Sequence, residues 1–469
     1  MSEKASLRKD QIEDLAIHMK LKKSVNQNDP GAGKTGTVMV NQWYRWSEKG
    51  LRTIFIMPKG IIKKNVDEYL KFTNFELSDI AFFTGTEAQI RKEAAKDWKV
   101  ALMGPDRWLR MLKKKEFDGQ RWACDVDEFH KCFGGPRSQR TEAWLNWMNW
   151  NVDEFVGMTG TIIDGRLDTS FAVIYAIEPN YYPLGYDSFL HQHAYIDDYG
   201  RPYAWNNHDK LRNILAKHGV RRTFESIFGK QEVVHQTEWV DMPDPVQELY
   251  DELREQAVAE LEQFFIDGEN PGVNMMRARQ IMEHFNDFPD LRKAGDRIDL
   301  FPKLRPPKLE LLEEHIAHHL DYGTPVVIFS AMQPSQEAIL TMAEKMGMKV
   351  GELFSRTPDN RRAKLDEAFR KGEIQGIVAS SEIASIGYNW QDWKDQELNH
   401  VIFSCLSYKD SDYVQGYRRA VRRARKKPLR VTTQAYRNSL DQHIMRILER
   451  KSLEANKVDP TREVLKFMK

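Results

Sequence analysis

The chain has 469 residues, with 70 lysines and arginines against 69 aspartates and glutamates, a net charge of +1, and 41% hydrophobic residues. That balance fits a soluble globular protein of about three domains and excludes collagen-like, disordered and uniformly basic classes. No run reaches the roughly 18 apolar residues of a membrane helix, Met1-Ser2-Glu3-Lys4-Ala5-Ser6 has no secretory apolar core, and the odd set Cys124, Cys132 and Cys405 points to a reducing compartment rather than a disulfide framework.

Apolar runs alternate with amphipathic stretches through the first half. Leu51–Pro58, Val100–Gly104, Trp122–Val126 and Glu154–Met158 read as buried strands, with helices such as Ile61–Phe72 and Glu87–Trp98 between them. Such alternation predicts a parallel sheet covered on both faces. Residues 180–207 are rich in Tyr, His, Asp and Gly. Long charged helices are predicted over Asp244–Phe265 and Met275–Phe285, separated by the turn cluster at 267–272, and Leu300–Pro307 reads as a linker. Alternation resumes with strands at Pro325–Ser330, Gly376–Ser380, His400–Ser404 and Leu429–Thr432. The expectation is an α/β chain of two parallel-sheet lobes with a mostly helical insertion between them. The first lobe spans 1–240 with an insert near 179–235, a helical linker spans 241–300, and the second lobe spans 301–469.

Two local patterns carry chemistry. Asp29-Pro30-Gly31-Ala32-Gly33-Lys34-Thr35 precedes a helix that opens at Gly36. Gly31 and Gly33 let backbone N–H groups approach a phosphate, and the helix start adds a positive dipole end. Lys34 is placed to reach phosphate oxygens and Thr35 to hold magnesium. The usual first glycine is replaced by Asn28. Downstream, the strand Trp122–Val126 runs into Asp127-Glu128-Phe129-His130. Adjacent carboxylates at a strand end suit magnesium-ATP hydrolysis, with Asp127 on the metal and Glu128 on the attacking water. The plain alternative for an Asp-Glu pair is a solvated turn; the preceding strand and the upstream loop argue against it. Cys124, His130 and Cys132 match no usual zinc spacing.

In order, these segments resemble superfamily-2 helicases, most closely the Swi/Snf-like DNA-dependent ATPases. Leu7 to Gln11 resembles the glutamine motif, and Asp29 to Thr35 the first motif. Phe55 to Lys59 resembles a backbone-contacting segment, Asp127 to His130 the DExH box, and Gly157 to Thr161 the Thr-Gly-Thr motif. Val220 to Thr223 resembles an Arg-Arg-Thr segment, and Pro307 to Leu309 the Pro-Lys-Leu before the second lobe. Ala384 to Trp390 resembles the Gly-x-Asn motif, and Gln415, Arg419 and Arg422 keep the spacing of the last motif. Phe129 and Ile162 depart from the residues common at those places.

The resemblance implies two RecA-like lobes binding ATP and Mg2+. Gln11, Gly31, Ala32, Gly33, Lys34, Thr35, Gly36 and Gly387 would bind nucleotide, and Thr35 and Asp127 the metal. Glu128, Gln415, Arg419 and Arg422 would serve hydrolysis, the arginines stabilising transition-state charge. Lys59, Arg107, Thr161, Ser330, Ser381 and Asn389 would touch a nucleic-acid backbone without reading sequence. Eight basic residues fall within 418–430 with no acid among them. Arg419 and Arg422 are expected to face ATP, and Arg423 to Lys427 to face solvent or DNA. Trp144, Trp147 and Trp150 read as the buried face of a helix rather than a base-stacking ladder. His315, His318 and His319 read as helix surface.

The partner expected is duplex or branched DNA, with RNA less favoured, no membrane, and a monomeric chain in the cytoplasm of a bacterial or phage-infected cell, or the nucleus of a eukaryote. The compact size suggests a role in DNA recombination or repair. An RNA-dependent DExH enzyme and a non-catalytic helicase-fold scaffold are the alternatives. Stimulation by RNA would select the one, and nucleotide binding without turnover the other.

Overall fold

The computed structural model describes residues 5–62, 64–164, 166–198, 200–267, 272–289, 296–384 and 388–467. Two compact units emerge, Met1–Gly229 with Glu454–Arg462, and Lys230–Leu453 with Glu463–Lys469. No described helix is long and apolar enough to cross a membrane.

In the first unit, mostly apolar runs form strands with no exposed face. Thr53–Ile56, Val100–Met103 and Trp122–Val126 are buried at every position. Such strands need helices on both sides. The described sheet has seven strands, all parallel, in the order Ile80–Phe82, Val100–Met103, Thr53–Ile56, Trp122–Val126, Val152–Met158, Lys23–Asn26 and Gly219–Val220. The phosphate loop leaves the end of Lys23–Asn26, and the acidic box leaves the end of Trp122–Val126, so both emerge from carboxyl ends of parallel strands. An aromatic core lies beneath the box: Trp144 stacks on Phe133 at 4.6 Å and meets Phe129 edge-on at 5.3 Å. Trp144 and Trp147 are core residues, as predicted, whereas Trp150, at the end of the helix Gln139–Asn151, is 78% exposed.

The second unit holds six described parallel strands, in the order Val233–Val240, Leu429–Tyr436, His400–Cys405, Val326–Ser330, Gly376–Ser380 and Val350–Leu353. This corrects the expected lobe boundary at residue 240. Val233–Val240 ladders onto Leu429–Tyr436 along its whole length, so the boundary falls at Gly229/Lys230. The stretch expected as an insert also returns to the first sheet through Gly219–Val220, beside the helices Tyr186–His193 and His208–Lys217 and a hairpin, Ala194–Ile196 with Pro202–Trp205. The long helices lie at Asp244–Asp267 and Val273–His284, and Glu260 caps the start of the second by accepting the Met275 amide at 2.8 Å. Most of the turn cluster expected between them lies outside the described residues.

The histidines of the helix Pro307–Asp321 are not a surface row. His318 is exposed, but His315 pairs with Glu238 at 2.8 Å and His319 is buried. The Thr324 hydroxyl lies 2.8 Å from His319 Nδ1, His319 Nε2 lies 2.9 Å from His400 Nδ1, and His400 Nε2 lies 2.9 Å from Thr432 Oγ1. Arg430 also donates toward His400 Nδ1 at 3.1 Å, which makes that nitrogen the acceptor and leaves the proton on Nε2. Burial, reinforced by His318, Arg430 and His315, pushes His319 down to about 3; burial and Arg430 push His400 down as well. Both rings are therefore neutral when folded and take up a proton on unfolding. Their contribution is complete above the ordinary histidine value of 6.5 and is lost as pH falls from there toward about 3. Each ring is expected to cost about 1.4 kcal/mol per pH unit inside that window. Urea midpoints at pH 7 and pH 5 should fall less for His319→Gln than for the wild type; parallel losses would contradict the assignment.

Candidate active site

The phosphate loop is shaped by its glycines. Gly31 and Gly33 have φ of +88° and +84°, values that suit glycine. A Cβ on Gly33 would meet Gln11 Nε2 at 2.6 Å. Gln11 donates to the Gly33 carbonyl at 2.9 Å and accepts the Arg8 amide at 3.0 Å, so this side chain holds the loop itself. Arg8 adds a bond to the Ala32 carbonyl at 2.6 Å. The helix Lys34–Lys49 starts directly after Gly33, its first turn packed so that a Cβ on Gly36 would meet the Phe72 ring at 3.2 Å.

Lys34 folds back on the loop, its ammonium 2.7 Å from the Asn28 carbonyl and 3.3 Å from that of Asp29. Burial lowers its pKa, and the carboxylates of Glu128, Asp127 and Asp29 oppose that. The loop lysine and the acidic box thus share one electrostatic environment. Asn28 fills the place of the missing glycine with a role of its own: its amide donates to Asp14 at 2.6 Å, and its side-chain oxygen accepts the Arg222 amide at 2.7 Å.

The acidic box begins where its strand ends. Asp127 Oδ1 accepts the Glu128 amide at 2.9 Å, and Glu128 sits in the left-handed region at φ 45°, ψ 56°. A non-glycine residue held there carries strain that the surroundings must maintain. His130 is buried, with Nδ1 2.9 Å from Thr159 Oγ1 and 3.7 Å from Glu128 Oε2. Thr159 Oγ1 also accepts the Thr161 amide at 2.9 Å. Burial lowers the pKa of His130, opposed by Asp164 and Glu128. A Cβ on Gly160 would meet Pro30 at 2.8 Å, so the Thr-Gly-Thr segment lies against the phosphate loop.

Beneath these loops the chain buries an ionic network. Arg45 and Asp125, both with fully buried side chains, pair at 2.8 Å, and Arg45 also reaches Glu154 at 3.1 Å. Gln42 and the Val156 amide each donate to Asp125 at 2.8 Å. Burial pushes the Asp125 carboxyl up, while Arg45, Gln42 and Val156 favour its ionised form. The phosphate-loop helix, the acidic-box strand and the Thr-Gly-Thr strand are joined by these contacts. Sequence reasoning missed the network, because its members lie 80 and 109 residues apart along the chain.

In the second unit, Gln415 and Arg419 are buried, and the Trp390 amide donates to the Arg419 carbonyl at 2.9 Å. Arg422 donates to the Tyr388 carbonyl at 2.8 Å, and its amide is held by Gln391 Oε1 at 2.7 Å. The last motif and the Gly-x-Asn segment therefore form one cluster. Gly387 lies outside the described residues. Arg425 departs from the expected solvent-facing stretch. It donates to the carbonyls of Lys427 at 3.0 Å and Leu398 at 2.8 Å, and closes its own loop.

Of the six expected nucleic-acid contacts, Lys59 and Asn389 are exposed. Thr161, Ser330 and Ser381 are buried. Arg107 is buried and ion-paired to Glu87 at 2.5 Å, so its charge is already matched. Among the described residues no group of three or more His, Cys, Asp or Glu is arranged to hold a metal.

The residues present fit a nucleotide phosphate: two glycines at positive φ, a helix start and a half-buried lysine. The hydroxyl of Thr35 and the carboxylate of Asp127 are hard oxygen donors of the kind magnesium takes.

A model of the DEAD/DEAH box helicase family matches residues 8–169, and a model of the helicase conserved C-terminal domain matches residues 307–424. The first covers the loop, the acidic box and Thr-Gly-Thr; the second covers Gln415, Arg419 and Arg422. The chain belongs to the superfamily-2 helicase-type ATPases, an ATP-hydrolysing class with two RecA-like parallel-sheet lobes. The Pyrococcus furiosus Hef helicase domain is similar in structure, with TM-score 0.51 and 16% identity over 94% of this chain and 98% of that one. The Sulfolobus solfataricus SWI2/SNF2 ATPase core, solved with dsDNA, aligns over 99% of this chain and 98% of that one at TM-score 0.44 and 17% identity. The Hef likeness is one of fold. The DEAD-box ATP-dependent RNA helicase 26 of Arabidopsis thaliana is 29% identical over 82 residues, which is 18% of this chain and 9% of that protein's length.

Proposed function

We propose that this protein is a nucleic-acid-dependent ATPase that translocates on, or remodels, duplex or branched DNA in the manner of the Swi/Snf-like enzymes it resembles in sequence. The observation that carries the proposal is the 2.9 Å link from His130 in the acidic box to Thr159 in the Thr-Gly-Thr segment, with Gly160 against Pro30. In the proposed cycle these contacts would pass a shift at the nucleotide phosphates to the Thr-Gly-Thr segment. Two-state motors need such a route between the hydrolytic site and the surface that grips the track.

Glu128 would orient and deprotonate the attacking water, and Lys34 would bind phosphate oxygens. Thr35 and Asp127 would hold magnesium, which when bound neutralises phosphate charge. Gln415, Arg419 and Arg422 would be needed for turnover rather than for nucleotide binding. Lys59 and Asn389, being exposed, are the best placed of the expected backbone contacts. Contacts of that kind position a duplex without reading its sequence.

The short match to an RNA helicase keeps RNA as the second possible track. The discriminating experiment compares ATP turnover with single-stranded, duplex and branched DNA and with RNA. Duplex or branched DNA is expected to stimulate severalfold and RNA weakly; preferential stimulation by RNA would overturn the DNA assignment.

A further inference from the structure

The phosphate loop is tied to two distant segments, and the second of them comes from the far end of the chain. The Gln27 amide donates to the Val220 carbonyl at 2.9 Å and the Asp29 amide to the Arg222 carbonyl at 3.0 Å, so the loop's entry continues the ladder of the edge strand Gly219–Val220. Arg221 then spans two carboxylates. One terminal nitrogen donates to Asp29 Oδ1 at 2.7 Å and to the Gln27 carbonyl at 2.9 Å, while Nε donates to Asp459 Oδ2 at 2.7 Å. Asp29 is buried, and its other oxygen accepts the Phe224 amide at 2.9 Å.

Asp459 is itself well anchored. It follows the last helix, Leu440–Val458, and its amide donates to the Ala455 carbonyl at 2.9 Å. Its Oδ1 accepts the Thr461 amide at 3.1 Å, which leaves Oδ2 for Arg221. The same segment is secured by Arg462, which donates to the Ile163 carbonyl at 2.5 Å, and by His208 against Glu454. Residues Glu454–Arg462 all belong to the first unit.

From this geometry we infer that Asp459 is a positioning residue for ATP binding: it aims Arg221 at Asp29, and Arg221 keeps the Asp29 carboxylate from competing with phosphate for Lys34. The proposal rests on reading residues 29–35 as a phosphate loop. Two observations support the electrostatic half. The Asp29 carboxylate favours the charged form of Lys34, and Arg221 opposes it, so both act on that lysine. The Lys34 ammonium lies 3.3 Å from the backbone carbonyl of Asp29, which sets the residue that bears the carboxylate beside the lysine. A guanidinium held on two sides keeps one orientation, whereas held on one side it swings. Once Arg221 leaves, the Asp29 carboxylate stands beside the phosphate site without that guanidinium, which repels the ligand rather than slowing the chemistry.

The test is steady-state ATP hydrolysis by the full chain carrying Asp459→Asn, Arg221→Met or Asp459→Glu, alongside Lys34→Ala. Asp459→Asn and Arg221→Met are expected to raise KM for ATP about tenfold, the size of one lost charge-assisted hydrogen bond, with kcat within about twofold. Asp459→Glu, which restores the carboxylate, is expected to recover most of the affinity. A purely structural role would lower the unfolding midpoint and leave KM in place, and that result overturns the proposal. Should Asp459→Asn fail to fold, Arg221→Lys keeps the charge but loses the two-armed grip, and it is expected to raise KM likewise; an unchanged KM in that variant also overturns it. If Lys34→Ala hydrolyses ATP at the wild-type rate, the phosphate-loop reading fails and takes the proposal with it. If Lys34→Ala is inactive while Asp459→Asn keeps the wild-type KM, the proposal alone fails.

Discussion

Replacing Glu128 by Gln is expected to lower ATP turnover by about a thousandfold while nucleotide affinity stays within about twofold. The residue stands at the end of a buried strand, in a left-handed backbone conformation held in part by the hydrogen bond its amide donates to Asp127 Oδ1. Glutamine has the same shape and should keep that conformation, but its amide does not take a proton from water. Lys34, Thr35 and Asp127 are untouched, so binding persists and the chemical step is lost. Phosphate release and fluorescent-nucleotide affinity, measured on one preparation, separate the two. A Glu128→Gln protein that retains more than a tenth of wild-type turnover would remove Glu128 from the role given to it.

Asp125→Ala is expected to destabilise the first unit by about 3–5 kcal/mol, the cost of stranding a buried charge. Arg45 has a fully buried side chain, and its other carboxylate partner, Glu154, also serves Lys49 at 2.5 Å. Removing Asp125 therefore leaves most of a guanidinium's charge unmatched among apolar strands. It also releases Gln42 and the Val156 amide. Replacing Arg45 and Asp125 together with Met and Leu should recover much of the loss, because an apolar pair of similar volume needs no desolvation compensation. Urea unfolding monitored by tryptophan fluorescence measures both, since Trp108, Trp122 and Trp144 lie in the same unit's core. A loss below about 1 kcal/mol for Asp125→Ala would mean the network contributes little to stability.

Local pattern made the central strands legible. Trp122–Val126 and Gly376–Ser380 have the predicted bounds, because a mostly apolar run of 5 residues is too short for a helix and suits a buried strand. Short or polar strands were illegible. Lys23–Asn26 is short and largely polar, and Ile80–Phe82 and Val350–Leu353 have only three or four residues each. Val233–Val240 sets four polar residues, His235 to Glu238, between apolar ends and joins a sheet whose other strands begin almost a hundred residues later, so nothing local assigns it. The phosphate loop and the acidic box, the ATP site proposed above, were legible as motifs because each is contiguous. Nucleic-acid contacts chosen by motif position fared worse, since exposure is a tertiary property: Ser330 is buried at the end of its strand, and Glu87 claims Arg107. Asp459 and the pair His319–His400 were invisible for the same reason, being partnered only after folding.

The most direct measurement is the rate of phosphate release from ATP by the wild-type chain with and without saturating duplex DNA, with Lys34→Ala as the blank. A motor of the kind proposed gives a low basal rate that rises severalfold with duplex DNA and is absent in the blank. A wild-type rate that does not respond to duplex or branched DNA would contradict it.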